Sequence, residues 1–198
     1  MWLDYTDRLD DEILDDAARC LRRLTVGSVL VVTVNAHPPR QESGSALEAD
    51  VGQERVPLGI DDAGLAQWGV ARAQYDVLCA ETTDALSRRT DGAWFEQLFH
   101  IRYRDGARML TWGGVLADAE RWDAFKAARF DELAQVRAGV TALNVDVPAL
   151  TLRETIHLNR QLPCPAGALE GEGIPPADAE AYGRLYRWYP PLLAALPR

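Results

Sequence analysis

Residues Ser28 to Asn35 read SVLVVTVN, a β-branched run with almost no polar alternation. A strand with one wet face alternates apolar and polar side chains; an uninterrupted apolar run is buried on both faces, the habit of parallel sheets. Just upstream, Leu9 to Leu24 places Leu9, Ile13, Ala17, Leu21 and Leu24 on one helical stripe, with Asp10, Asp11 and Glu12 early and Arg19, Arg22 and Arg23 late. Those charges complement the helix macrodipole, and Gly27 is a stop signal after it. Before the helix stands WLDY, Trp2 to Tyr5, which reads as the end of a core strand. Strand, helix and strand make a βαβ unit with a right-handed crossover. The chain therefore reads as beginning in the middle of a domain.

Downstream, 36–62 turns polar and rich in Pro and Gly, too long for an ordinary connection, and reads as a long loop or lid. A helical stretch from about Gly64 to Arg89 follows, with Leu65, Trp68, Tyr75, Leu78 and Leu86 at helical spacing. Asp105-Gly106 then sits between two β-rich runs, Trp94 to Arg104 and Ala107 to Leu116. Such a dipeptide is a strong hairpin signal, because a type I′ turn needs positive φ at both positions. On the first run Phe95, Phe99, Ile101 and Tyr103 are expected on one face, and Glu96, His100 and Arg102 on a solvated one. Gly113-Gly114 points to a bulge or close packing. Over 140–198, a C-terminal helical extension is expected: TLRE at Thr151 to Glu154 is a capping box, and IPPADAEAYGRLYRWYPP starts a further helix after its prolines.

The 198 residues, 47% hydrophobic and 26% charged, suit one globular domain with a real core. A net charge of -9 argues against an electrostatic grip on nucleic acid or anionic lipid. Cys20, Cys79 and Cys164 are odd in number and far apart, which suggests neither a disulfide framework nor a zinc site and fits a reducing cytoplasm. No segment is apolar for long enough to span a membrane. No His, Cys and Asp cluster has metal-ligand spacing, and no nucleophile elbow is present.

The succession WLDYTDRLDDEILDD, GSVLVVTVNAHP, FEQLFHIRYRDGARMLTWGGVL, LTLRETIHLNRQLP and YGRLYRWYPP resembles the C-terminal half of a family of bacterial putative O-methyltransferases with a Rossmann-type, S-adenosylmethionine-dependent fold. The resemblance implies an α/β fold: a partial class I methyltransferase sheet of two parallel strands followed by an antiparallel hairpin, with flanking helices. In that frame WLDY is the fourth strand, SVLVVTVN the fifth, and the hairpin the sixth and seventh. The family's glycine-rich loop and its ribose-holding acidic residue would then lie upstream of Met1. S-adenosylmethionine would be bound only with that half supplied.

Open α/β sheets bind ligands at the carboxyl ends of their strands. Asp4 and Tyr5 are expected at one such end, and Asn35, His37 and Pro38 at the next, converging on one crevice. Methyl transfer to an alcohol or phenol requires alignment of the acceptor oxygen and removal of its proton. Asp4 is a candidate base or orienting acceptor, or else a turn cap. His37 is a candidate base, or else an exposed loop histidine. His100 and His157 read as surface residues, and Tyr182, Tyr186, Trp188 and Tyr189 as aromatics docking a terminal helix. Two functions compete: the acceptor-side portion of an O-methyltransferase with an unknown methyl acceptor, and a non-catalytic interaction module descended from one, pairing with a second chain or as a homodimer through the N-terminal strand edge.

Overall fold

The structure is a computed structural model, described over residues 1–38, 44–56, 65–105, 107–165 and 167–187. It forms two compact units, Met1–Val145 and Asp146–Arg198. In the first, β1 (Trp2–Arg8), α1 (Asp11–Arg23) and β2 (Val29–Asn35) make the expected parallel βαβ unit. Asp10 caps α1 by accepting a hydrogen bond from the Ile13 N–H, while acids open the helix and Arg22 and Arg23 close it. Next come α2 (Gly44–Val51), α3 (Gly69–Ser87), the long strands β3 (Trp94–Asp105) and β4 (Ala107–Ala117), the short α4 (Trp122–Ala127) and β5 (Leu143–Asp146).

The sheet order is β1-β2-β4-β3-β5. The second hairpin strand, β4, lies antiparallel against β2, and β3 lies outside it. This is an α/β fold with a mixed sheet and flanking helices, consistent with a methyltransferase. The hairpin strands pair up to Asp105 opposite Ala107; Gly106, on which the turn type depends, lies outside the described residues.

Leu30, Val32 and Val34 of β2 and Leu110, Trp112 and Leu116 of β4 join Ile13, Leu14, Ala17 and Leu21 of α1 and Val70, Val77 and Leu78 of α3 in one core. Each fully buried leucine contributes roughly 2 kcal/mol. Alternation puts Thr33 and Thr111 on the other face. There Thr33 Oγ1 lies 2.9 Å from Thr111 Oγ1 and accepts from Trp2 Nε1 at 3.0 Å.

Three expectations are corrected. Trp2 to Tyr5 is not the end of a core strand: β1 continues to Arg8 and lies at the sheet edge, with Trp2 65% exposed. The 36–62 segment is not all loop, because α2 lies in it and buries Leu47 and Val51 in the core. Arg8 holds α2 at the carboxyl end of β1 through an ion pair to Asp50 at 3.0 Å. Residues 39–43 and 57–62 of the expected lid lie outside the described residues. Finally, His100 is not on a solvated face; it is completely buried. The register of β3 shifts between Gln97 and Phe99, and this bulge re-phases the strand so that His100 pairs with Trp112 on the helix-covered face.

Gly113 and Gly114 explain how β4 accepts that bulge. A Cβ on Gly114 would stand 2.1 Å from the Glu96 carbonyl oxygen, and one on Gly113 2.5 Å from that of Leu30. Both neighbouring backbones press on β4 where side chains are missing.

In the second unit α5 (Leu152–Asn159) and α6 (Pro176–Leu185) enclose a small core of Leu158, Leu169, Ile174, Ala179 and Tyr182. The predicted capping box is formed: the Glu154 N–H donates to Thr151 Oγ1, and the Thr151 N–H donates back to Glu154 Oε2 at 2.7 Å. Tyr182 docks α6 as expected, its hydroxyl 2.8 Å from Asn159 Oδ1. Trp188 and Tyr189 lie outside the described residues.

Candidate functional site

The carboxyl ends of the parallel strands meet at Arg8 and Asn35, which are register partners. Asn35 Nδ2 donates to the Thr6 carbonyl at 3.3 Å, tying the two ends together, and its Oδ1 accepts from the His37 N–H at 2.8 Å. The second bond fixes the backbone at the exposed His37, with Pro38 half-buried beyond it. Asn35, His37 and Pro38 therefore form one cluster at the strand end.

Asp4 and Tyr5 do not join it. Asp4 is opposite Thr33, inside the strand pair and exposed, because β1 runs on to Arg8. Tyr5 packs on the core, and its hydroxyl donates to Asp16 Oδ2 of α1 at 2.9 Å. Burial and then the Asp16 carboxylate push its ionisation up to about 12. Such a phenol keeps its proton near neutrality and clamps β1 to α1.

The sequence reading missed the residues that α3, β3 and β4 bring to the same end of the sheet. Gln74 is almost fully buried, and its Nε2 donates to the Asn35 carbonyl at 2.9 Å. The Arg108 carbonyl accepts from the Ala36 N–H at 2.7 Å, while its guanidinium lies 5.8 Å from the centre of the Trp68 ring. Trp68 and Gly69, which open α3, line a cavity of about 600 Å³ together with Arg72, Arg102, Thr141 and Asn144. Helical spacing reveals that Trp68 and Arg72 are neighbours, but the β3 bulge that sends His100 and Arg102 toward them leaves no mark on β3 itself. Its one signal is the glycine pair on the facing strand.

His100 stands behind the cavity. Its Nδ1 is 3.2 Å from the Gly139 carbonyl, and its Nε2 has no hydrogen-bond partner among the described residues. Burial holds its pKa below the usual imidazole range, and the positive charge of Arg102 acts in the same direction. The ring is neutral at pH 7.

Among the described residues, the two connections that follow the parallel strands differ in how far they could serve as a cradle for S-adenosylmethionine. A glycine-rich turn from a strand into a helix lets the backbone approach such a cofactor closely. The β1 to α1 connection is Leu9-Asp10, a buried leucine followed by a helix cap, with no glycine. After β2, Ala36, His37 and Pro38 supply none, and Gly44, the first residue of α2, is the one glycine among the described residues of that connection.

No curated protein and no solved structure matches this chain. A family model does match it, over residues 1–195, and the mixed sheet with flanking helices is consistent with a methyltransferase-like fold. The chain belongs to the putative O-methyltransferase family.

Proposed function

We propose that this protein acts in S-adenosylmethionine-dependent O-methylation as the acceptor-side portion of the enzyme, with the glycine-rich cofactor loop supplied by residues outside it. Family membership across 1–195 is the observation that carries the O-methylation in this reading; the division into portions rests on the strand order and on the resemblance. Bound S-adenosylmethionine supplies the electrophilic methyl group; this chain's task is to hold the acceptor hydroxyl and take its proton. His37, exposed at the carboxyl end of β2, is the proton acceptor in this reading, and Asn35 is a positioning residue through its hydrogen bond to the His37 N–H. Asp4 has no proton-transfer role here, since it sits within β1 rather than at its end.

Calorimetric titration tests the division of labour. The chain alone is expected to show no saturable heat with S-adenosylmethionine, and to gain it when a strand, glycine loop and helix are restored in cis or in trans. Tight one-to-one binding by the bare chain refutes the reading. A second reading, a non-catalytic module that pairs with another chain, is favoured by the edge of β1, which has no strand beside it among the described residues, and by its exposed Trp2.

A further inference from the structure

The cavity at the start of α3 is cationic in an acidic protein. The net charge is -9, yet the described residues lining it include Arg72 and Arg102 and no Asp or Glu. The two arginines are not equivalent. Arg72 donates from Nε to Asp76 Oδ2 at 2.8 Å, and its side chain is 51% exposed. Arg102 has no such satisfaction: its Nε is buried, and no described residue hydrogen-bonds to it or forms an ion pair with it. Arg102 itself is only partly buried, but an Nε withdrawn from water without an acceptor leaves that corner of its guanidinium unsatisfied. Burial and the nearby Arg72 charge both press on Arg102 toward its neutral form, opposed by Asp76. Its chemistry keeps it charged, so what it lacks is an acceptor.

Three further features suit an anion. A guanidinium presents a planar fork that matches carboxylate or phosphate oxygens in pairs. Trp68 and Gly69 place the positive end of the nineteen-residue α3 at the cavity wall. Thr141 and Asn144 add uncharged hydrogen-bonding groups, and the volume of about 600 Å³ admits a small molecule. Trp68 also connects the cavity to the end of β2, through Arg108 and its hydrogen bond to Ala36.

We propose that this cavity is an oxyanion-binding site in which Arg102 is the principal ligand and Arg72 the second, and that it receives the carboxylate or phosphate of a small organic anion. The binding stands by itself; only the further step, that this anion is part of the methyl acceptor, rests on the methyltransferase reading.

The full chain is titrated with inorganic phosphate, benzoate and phenyl phosphate at constant ionic strength, without S-adenosylmethionine, and binding is followed by calorimetry. At least one is expected to bind saturably; benzoate alone identifies a carboxylate site, and phosphate or phenyl phosphate a phosphate site. Arg102→Gln is expected to weaken binding by about tenfold or more, the loss of a charge-assisted hydrogen bond. Arg72→Gln weakens it less, and the exposed Arg23→Gln leaves it unchanged. Without ligand, Arg102→Gln is expected to melt no lower than the wild type, because the side chain has no hydrogen bond or ion pair to a described residue to lose and its Nε is buried without an acceptor. Arg72→Gln, at a half-exposed position, provides the binding test should the first variant fail to fold. Absence of binding by all three anions, or binding untouched by both substitutions, overturns the proposal. Failure of methyl transfer leaves these titrations as they are, so the two readings fail separately.

Discussion

Tyr75 of α3 and His100 of β3 lie face to face, with ring centroids 4.2 Å apart and planes only 4° from parallel. The pair fastens the helix layer to the sheet directly behind the cationic cavity. Tyr75 continues the contact through its hydroxyl, which donates to Gln97 Oε1 at 3.1 Å, at the bulge itself. The bulge, the stack and the position of Arg102 are one linked construction.

That stack makes stability sensitive to acid. His100 has its pKa lowered from 6.5, chiefly by burial, with Arg102 and Arg72 adding to the effect and Asp76 opposing it. As pH falls through about 6.5 the unfolded chain takes up a proton that the folded chain resists, so stability present above that pH is lost as acidity grows. His100→Phe keeps a ring against Tyr75 and removes the titration. Urea melts at pH 7 and pH 5 are expected to differ less in this variant than in the wild type; equal differences would place the acid sensitivity elsewhere.

The glycines opposite the bulge should tolerate no side chain. At Gly114 a Cβ would meet backbone on the neighbouring strand at 2.1 Å, which no rotamer change relieves. Gly114→Ala is expected to cost about 2 kcal/mol or more, as overpacking against a fixed backbone does. Gly139→Ala is a useful contrast: a Cβ there would meet no heavy atom within 4 Å beyond its chain neighbours, so its penalty comes from a φ of +77° alone. Chemical denaturation of the two variants checks the order, and a wild-type midpoint for Gly114→Ala contradicts the close packing.

Most of the sheet could be read from residues, because its signals are local. The apolar run of β2, the charge gradient of α1 and the capping box at Thr151 each act within a turn or a strand. The far end of β1 is not legible, since Thr6, Asp7 and Arg8 are polar and of the three only Arg8 has a register partner in β2, beyond a register shift after Asp4. His100 was misplaced for a different reason. Alternation along β3 is broken by one residue, so every assignment of face beyond Gln97 inverts. The cavity inherits that difficulty, because its arginines come from α3 and β3, 30 positions apart in sequence and joined only by tertiary packing.

Tyr5 is expected to be structural. Its hydrogen bond to Asp16 holds β1 on α1, and Tyr5→Phe should cost about 1 kcal/mol, an ordinary intramolecular hydrogen bond. Because the folded phenol titrates near 12 rather than 10.0, the associated stability is complete below pH 10 and declines as pH rises toward 12. Ultraviolet titration of wild type and variant reads this directly. A Tyr5→Phe protein of unchanged stability at pH 8 would show that the bond contributes nothing.

The free edge of β1 is expected to pair with a second copy. β1 ends the sheet order, so one row of its backbone groups has no strand beside it among the described residues, and Trp2 is 65% exposed there. A closed two-fold pair needs a self-complementary sequence. With two β1 strands antiparallel and centred on Tyr5, Trp2 stands opposite Arg8 of the partner subunit, Leu3 opposite Asp7 of the partner subunit and Asp4 opposite Thr6 of the partner subunit. No like charges then face each other, and an indole meets a guanidinium, a favourable contact. Placing a lysine at the edge is a common defence against such pairing. Trp2→Lys sets that lysine opposite the partner's Arg8, adding like-charge repulsion at both ends of the two-fold pair. Sedimentation equilibrium is expected to show a reversible dimer for the wild type and a dissociation constant at least about tenfold higher for Trp2→Lys, two repulsive pairs replacing two attractive ones. A wild-type chain that stays monomeric at high micromolar concentration, or a dimer unaffected by Trp2→Lys, excludes pairing through β1.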